Sequence, residues 1–400
     1  MNKTLFNTFL IFFLITFIPP LFYVVFSVSS LATGFFLVIP LIILMSYNSV
    51  KLSISIKEGG VLLIFLFYTL YIPFFNNGVI EYKGIFSYIL LSSIFLTSKQ
   101  VASYILKNCV AKDFDLAIKS ISFFYLILGV VSVFIRPEFL NYHNYIKSSF
   151  PFSEPSHYVI TCIPFFIYTV LSSKRFIMFV YLSLMLFLSW KFPSVIMIAA
   201  TILTLFLILL RAKYNYIMYM FLFLFLSLAS KYVIDLGMAD YFVSRLNFSL
   251  ENKNLTALVY IQGWGDLITN LRNTNGIGLG FQLMGTNEPT EWNKVIYNIS
   301  GEYKNISDGS FLASKLISEF GLIGVGLLLM YAKLAVECLI KISSELKKNI
   351  HNPILLFSSI SIVSFSIELF LRGIGYFSSS VVVFLISVNL IRKFSWEKSE

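Results

Sequence analysis

Residues Leu5 to Ser27 read LFNTFLIFFLITFIPPLFYVVFS, a stretch without one charged side chain. About 20 consecutive apolar residues are what a helix needs to cross the hydrocarbon core of a bilayer. The run, which contains Pro19 and Pro20, is too long for the apolar centre of a signal peptide, and no small-residue cleavage site follows it, so a retained first membrane helix is expected. Similar runs recur at about Leu31 to Tyr47, Val61 to Phe75, Gly84 to Thr97, Ile121 to Ile135, Tyr158 to Leu171, Phe176 to Trp190, Pro193 to Leu210, Tyr216 to Ile234, Phe311 to Tyr331, Ile354 to Leu371 and Ile374 to Ile391. Judged by length they make roughly twelve spans. The expected fold is an all-α polytopic membrane protein, a single integral membrane domain over residues 1–400.

Composition points the same way. Hydrophobic residues make up 58% of the 400 positions and charged residues only 12%, with a mean hydropathy of +0.82. A soluble domain carries about 25% charged residues, and half that share cannot coat a water-facing surface, which excludes soluble enzymes. The net charge of +10 does not indicate nucleic acid, because no basic cluster is interleaved with exposed aromatics; it reports topology. Cys109, Cys162 and Cys338, like His143, His157 and His351, are too scattered for a disulfide framework or a metal centre, and no metal or other cofactor is expected.

Loops of a polytopic protein alternate between Lys/Arg-rich and Lys/Arg-poor, the rich ones being cytoplasmic. With a cytoplasmic N-terminus the inner segments carry Lys3; Lys51 and Lys57; Lys99, Lys107, Lys112 and Lys119; Lys174 and Arg175; Arg211 and Lys213; Lys333, Lys341, Lys347 and Lys348; and Arg392, Lys393 and Lys398. Both termini are therefore expected in the cytoplasm. The other basic residues fall mostly in two enlarged outer loops, 136–156 and 236–308. Long connections are uncommon and usually functional, so the active site is expected there. The longer loop holds Trp264, Trp292 and the apolar run Leu255 to Ile261, enough to fold against the membrane face. No internal repeat is evident, which counts against an inverted-repeat transporter.

In the short loop, Ser153, Glu154, Pro155, Ser156 and His157 precede the sixth span. Locally, Ser156 reads as a helix cap and Pro155 as a stiffener. Chemically, a carboxylate held there over a partly desolvated pocket is expected to have a raised pKa and to act as a general base. The long loop offers Arg245 and Arg272, with Gln262, Trp264 and Asp266 between them, then Gly276, Gly278 and Gly280. Arginine forks match phosphate oxygens, and glycines permit close backbone approach to a ligand. Asp308 reads either as a helix N-cap or as a catalytic carboxylate. Lys315 and Glu319, spaced i, i+4, either lie within the hydrocarbon, which marks them as functional, or snorkel at the interface ahead of a span starting near Gly321. Glu368 and Arg372 share that spacing: either they form a helix-end ion pair, or Arg372, with Tyr376 nearby, completes an anion site. All these groups fall on one side of the membrane. Several arginines, two or three carboxylates and no metal set suit a lipid-linked diphosphate: arginines stabilise the departing charge while a carboxylate deprotonates an acceptor hydroxyl, an inverting glycosyl transfer.

With these residues in place the sequence resembles the bacterial O-antigen polymerases (Wzy-type), within a wider polymerase and ligase superfamily. The resemblance is carried by Phe152-Ser-Glu-Pro-Ser-His157, by Thr256-Ala-Leu-Val-Tyr-Ile-Gln-Gly-Trp264 running on to Asn275-Gly-Ile-Gly-Leu-Gly-Phe281, by Asp308-Gly-Ser-Phe-Leu312 through Ser318-Glu-Phe-Gly-Leu-Ile-Gly324, and by Arg372-Gly-Ile-Gly-Tyr-Phe377. It covers nearly the whole chain. It implies an inner-membrane enzyme of GT-C-like architecture that moves a growing glycan from undecaprenyl diphosphate onto a second lipid-linked repeat unit at the periplasmic face, beside a separate chain-length regulator. It also implies substrate contacts from arginines of the two large loops, which map onto Arg136 or Arg245. Together with the residues read above, the candidate site comprises Glu154, His157 and Asp308 as catalytic groups and Arg136, Arg245, Gln262, Trp264, Arg272, Lys315, Glu319, Arg372 and Tyr376 as substrate contacts. The chain departs from the arginine-glycine spacing of some members: Thr256 stands eleven residues after Arg245, and Leu283 eleven after Arg272. The O-antigen ligases share the architecture but use a histidine at the end of the long loop, where this chain has Asp308. A lipid-sugar flippase would want charges lining a midplane cavity and short loops.

Overall fold

The computed structural model describes residues 2–28, 30–47, 54–77, 82–135, 138–145, 148–192, 194–211, 249, 254–348 and 351–396. Among these the protein is helical, with one isolated antiparallel bridge between Ser149 and Phe152. The helices are α1 (Lys3–Val25), α2 (Ala32–Tyr47), α3 (Ile56–Asn77), α4 (Tyr82–Asn108), α5 (Ala111–Phe134), α6 (Pro155–Ser172), α7 (Arg175–Lys191), α8 (Val195–Arg211), α9 (Leu255–Asn273), α10 (Glu291–Ser300), α11 (Leu312–Leu346), α12 (Pro353–Ser364), α13 (Ser366–Phe370) and α14 (Ser379–Trp396). Seven of the described segments are long and apolar enough to cross a membrane, so the chain is a polytopic membrane protein. Helices lie at every expected span except the ninth, Tyr216 to Ile234, which falls outside the described residues.

Burial separates centre from periphery. In α6 and in the segment Pro353–Phe370, 78% of the spanning window is buried, whereas in α11 the share is 11%. Phe12 on α1 anchors the centre, meeting Phe114, Phe165 and Phe357 edge-on at 6.3, 5.9 and 5.6 Å between ring centroids. Leu322, Leu329 and Met330 on α11 are exposed, as befits a surface whose solvent is lipid tails. Some hydroxyls within these apolar helices donate back to the carbonyl four residues earlier, as Thr69 does to Phe65 at 2.8 Å and Thr169 to Phe165 at 2.9 Å, which satisfies those donors inside hydrocarbon.

Pro19 shows how a helix breaker is accommodated. Its missing N–H orphans the Ile15 carbonyl, and Ser379 Oγ, at the start of α14, donates to that oxygen at 2.8 Å. Gly34 on α2 packs against the same proline, where a Cβ would stand 2.5 Å from Pro19 Cα.

The polar groups gather at opposite ends of the bundle. At one end Asn2 and Thr4 donate to Asp113 at 2.6 and 2.8 Å, Lys99 pairs with Glu58 at 2.5 Å, and Lys393 donates to Ser103. At the other end Asn141 donates to the Val25 carbonyl at 2.7 Å, and the N-terminus of α6 lies there too.

Three boundaries differ from the sequence expectation. The tenth span is not one straight helix: α11 breaks at Gly321 (φ 58°, ψ −133°) and runs on to Leu346. The eleventh divides at Phe365 into α12 and α13. The last helix starts at Ser379, leaving 371–378 as an irregular connection.

Candidate functional site

The short loop is stiffened from within. Ser149 and Phe152 exchange backbone hydrogen bonds at 3.1 and 2.6 Å, Tyr142 Oη donates to the Pro151 carbonyl at 2.7 Å, and Phe152 is buried. Glu154 then takes the N-cap position of α6 with Pro155 as the first helical residue, where proline's fixed φ and absent N–H fit. Ser156 is therefore not the cap: it sits two residues too late, inside the first turn, and donates to Glu154 Oε2 at 2.9 Å.

The connection 371–378 reaches the same place. Gly373 N donates to the Ser310 carbonyl at 3.1 Å, and a Cβ on Gly373 would stand 2.6 Å from Leu312 N, so the segment is pressed against the start of α11. This close docking aims Arg372 at Glu154, Nη2 to Oε2 at 3.3 Å. Glu368 is not the partner of Arg372. It is buried and accepts hydrogen bonds from Ser378, at 3.0 Å, and from Ser380, which clasps the two ends of the connection. The helix-end ion pair read from the i, i+4 spacing does not form, because α13 stops at Phe370 and the arginine leaves the helix.

His157 lies in the first turn of α6. Its Nδ1 is 3.3 Å from Ser153 Oγ and its Nε2 is 4.0 Å from Glu154 Oε2. With Tyr23, Thr161 and Ser379 it lines a slot of about 10 Å³, room for roughly one water. Asp308, in the turn before α11, interacts electrostatically with His157 and Tyr23. Its side chain is 55% exposed and stands 3.8 Å from Lys315 Nζ. It is not an N-cap either: Phe311 holds that position with no side-chain cap. Glu154, His157, Asp308 and Arg372 thus come from three separate stretches of sequence to one end of the bundle.

The charge on Glu154 departs from expectation. Partial burial pushes its carboxyl up, but His157, Arg372 and the hydrogen bonds from Ser156 and Arg372 outweigh burial and hold it below the usual 4.5. The sequence reading of a raised pKa overlooked a guanidinium supplied from 218 positions away.

Behind this surface lies a second, buried cluster. Lys315 and Glu319 are 4% and 0% exposed and 3.9 Å apart. Lys315 Nζ donates to the Ser307 carbonyl at 2.8 Å, and Glu319 Oε1 accepts from Met284 N at 3.3 Å. Buried Tyr376 places its ring 5.5 Å from Lys315 Nζ and its hydroxyl beside Glu319. The span does restart at Gly321, yet these charges do not snorkel; they lie buried beneath the outer site, with Lys315 Nζ 3.8 Å from Asp308.

The glycine run explains the shelter. Leu279 N and Gly280 N donate to the Ser318 and Glu319 carbonyls at 2.9 and 3.0 Å, and Leu322 N donates to the Gly276 carbonyl at 2.8 Å. A Cβ on Gly278 would meet Glu319 O at 2.5 Å. The close approach these glycines permit is to the broken end of the first segment of α11.

Gln262 and Asp266 belong to scaffold. Gln262 is fully buried and donates to Asn293 Oδ1 at 2.5 Å; Asp266 Oδ1 accepts from Thr290 at 2.8 Å and Asn293 at 2.9 Å, tying α9 to α10. Burial raises the Asp266 pKa despite hydrogen bonds from Thr290, Gln262 and Asn293. Trp264 is 40% exposed and packs on Phe311 at 5.0 Å, a ring face bordering the Asp308 turn. Arg272 is exposed in the last turn of α9, where a cation suits the helix dipole. Arg136 and Arg245 lie outside the described residues. Tyr23 is the residue that sequence reading missed: an aromatic in an apolar run carries no signal until α1 is seen to end beside His157. A scan against protein-family models, a search of curated proteins and a search of solved structures each find no match.

Proposed function

We propose that the chain is an inner-membrane glycosyltransferase of the O-antigen polymerase type, with twelve spans, cytoplasmic termini and its site at the periplasmic face. It joins undecaprenyl-diphosphate-linked repeat units, beside a chain-length regulator. The observation that carries this reading is the meeting of Arg372, Glu154, His157 and Asp308 at one end of the bundle.

In this reading the resting Arg372–Glu154 contact is exchanged on binding. The donor diphosphate competes for the guanidinium, whose fork fits phosphate oxygens. Glu154 is released with a phosphate nearby, and both changes make it a stronger base. The acceptor hydroxyl oxygen then attacks the anomeric carbon, the bond from that carbon to the diphosphate oxygen breaks, and the hydroxyl proton passes to Glu154. The diphosphate leaves on its lipid with Arg372 balancing its charge, and the configuration inverts. Trp264 offers an aromatic face for a sugar ring.

One observation favours the related ligase reaction, transfer of the glycan to lipid A core: a histidine, His157, does stand in the cluster, though it comes from the short loop. Disrupting the chain in its own bacterium separates the two. Surface lipopolysaccharide whose core carries a single repeat unit is the polymerase result. Bare core with long glycans held on the carrier lipid is the ligase result, and bare core with single units trapped inside points to a flippase.

A further inference from the structure

Away from the outer site, a cleft of about 620 Å³ opens between α3, α4, α11 and α14, within the ~300–1,000 Å³ range of ligand pockets. Its walls are almost wholly apolar. Lys57 and Arg392 line one end, and Leu312 and Tyr376 the other. Both cations are exposed and belong to the end of the bundle that carries Lys99 and Lys393, opposite Glu154. The one carboxylate among the lining residues, Glu58, pairs with Lys99 at 2.5 Å, and Lys57 and Arg392 bring two cationic side chains to that end of the cleft.

The dimensions match one leaflet. Along α14, Val381 to Arg392 rises about 16 Å at ~1.5 Å per residue, close to half of a ~30 Å hydrocarbon core. Water in such a groove would lack polar partners, whereas a lipid chain fits it and brings a head group to its charged end.

We infer that this cleft binds one anionic glycerophospholipid, its phosphate head group between Lys57 and Arg392 and an acyl chain along the apolar wall. The cleft's charged end lies across the bundle from Glu154 and Arg372, while Tyr376, beneath the outer site, lines its other end. It draws its ligand from the leaflet on the Lys57 side and holds α3, a peripheral helix only 17% buried over its spanning window, against α11 and α14.

The test uses the full chain purified in mild detergent, with bound lipid read by native mass spectrometry and solvent extraction, and with unfolding followed after adding phosphatidylglycerol or phosphatidylcholine. Wild type is expected to retain about one phosphatidylglycerol and to be stabilised by it more than by phosphatidylcholine. The double variant Lys57→Gln/Arg392→Gln is expected to lose about thirtyfold in retention, given the attraction of each cation for anionic lipid. Leu328→Trp with Leu385→Trp keeps both cations and fills the cleft; it too is expected to lose the lipid. Unchanged retention in either folded double variant, equal retention of phosphatidylcholine, or recovery of a polyprenyl lipid in its place overturns the inference.

Discussion

Arg372 Nη2 stands 3.3 Å from Glu154 Oε2 across 218 positions of sequence, while Glu368, one helical turn away, is held by Ser378 and Ser380 instead. Glu154 is 49% exposed, and an ion pair so open to solvent contributes about 0–1 kcal/mol to stability. Its removal is therefore expected to act on activity. Arg372→Lys retains the charge and loses the fork; polymer formation should fall about a hundredfold, the scale of losing one charge-stabilising donor, with the thermal midpoint unchanged. Wild-type glycan ladders from this variant would reduce Arg372 to an ordinary ion-pair partner.

The lowered pKa of Glu154 gives a pH signature. A carboxyl depressed below 4.5 in the folded protein contributes stability that is present above 4.5 and lost as pH falls through the folded value. The acid limb of kcat/KM, which reports the free enzyme, should thus lie below pH 4.5. The limb in kcat, which reports the substrate complex, should lie higher, because the bound diphosphate takes Arg372 and adds negative charge. Coincident limbs in the two profiles argue against that exchange, and a limb that vanishes in His157→Gln belongs to the histidine.

The helical membrane fold was legible in the sequence because lipid imposes one rule, long uncharged runs, and that rule is local. The site was legible only in outline. Glu154, His157, Asp308 and Arg372 stand out as polar residues at span ends, but which carboxylate meets Arg372 depends on where α13 stops and how 371–378 docks on Ser310, and neither is a local property. The placement of Gln262 was illegible for a related reason: a polar side chain on an outer-loop helix looks available until α10 covers it. Gly321 could be read as a span start, but the backbone break there could not, because hydropathy is indifferent to φ.

For Asp266 and Gln262 the buried network predicts stability effects in place of binding effects. Asp266→Ala leaves Thr290 and Asn293 donors without their acceptor, a loss of about 1–3 kcal/mol. Asp266→Asn keeps an acceptor oxygen and removes a carboxyl whose raised pKa makes ionisation unfavourable; the raised direction means stability falls as pH climbs from 3.8 through the folded value. The Asn variant should match or exceed wild type in thermal midpoint at neutral pH. Gln262→Ala should lower the midpoint while KM for the lipid-linked donor stays put, and a raised KM at unchanged stability would return Gln262 to the substrate site.

Gly321→Ala tests the docking of the glycine run. The position has φ 58°, and a Cβ would stand 2.0 Å from Gly276 O, too close for small adjustments. Strain of this kind runs to about 1–3 kcal/mol before the clash is counted. A sharp fall in the thermal midpoint is expected, whereas Gly326→Ala, on the same helix with open space around it, should be silent. Equal midpoints for both variants would mean that α11 does not break at Gly321.

Lys315 and Glu319 pose the last question, since a buried pair beneath a site can be scaffold or machinery. Removing one member strands the other's charge, and that loss is about 3–5 kcal/mol. Lys315→Met and Glu319→Gln should each destabilise strongly, and the combined variant, which buries no charge, should recover most of the loss. Activity then decides the role. If the pair only supports the outer turn, polymer formation returns with stability. If the positive charge of Lys315, 3.8 Å from Asp308, sets the field that the reacting groups feel, the combined variant stays folded and inactive. The position of Lys315 favours the second outcome: its ammonium lies between an exposed carboxylate and a fully buried one, so it links the surface to the interior.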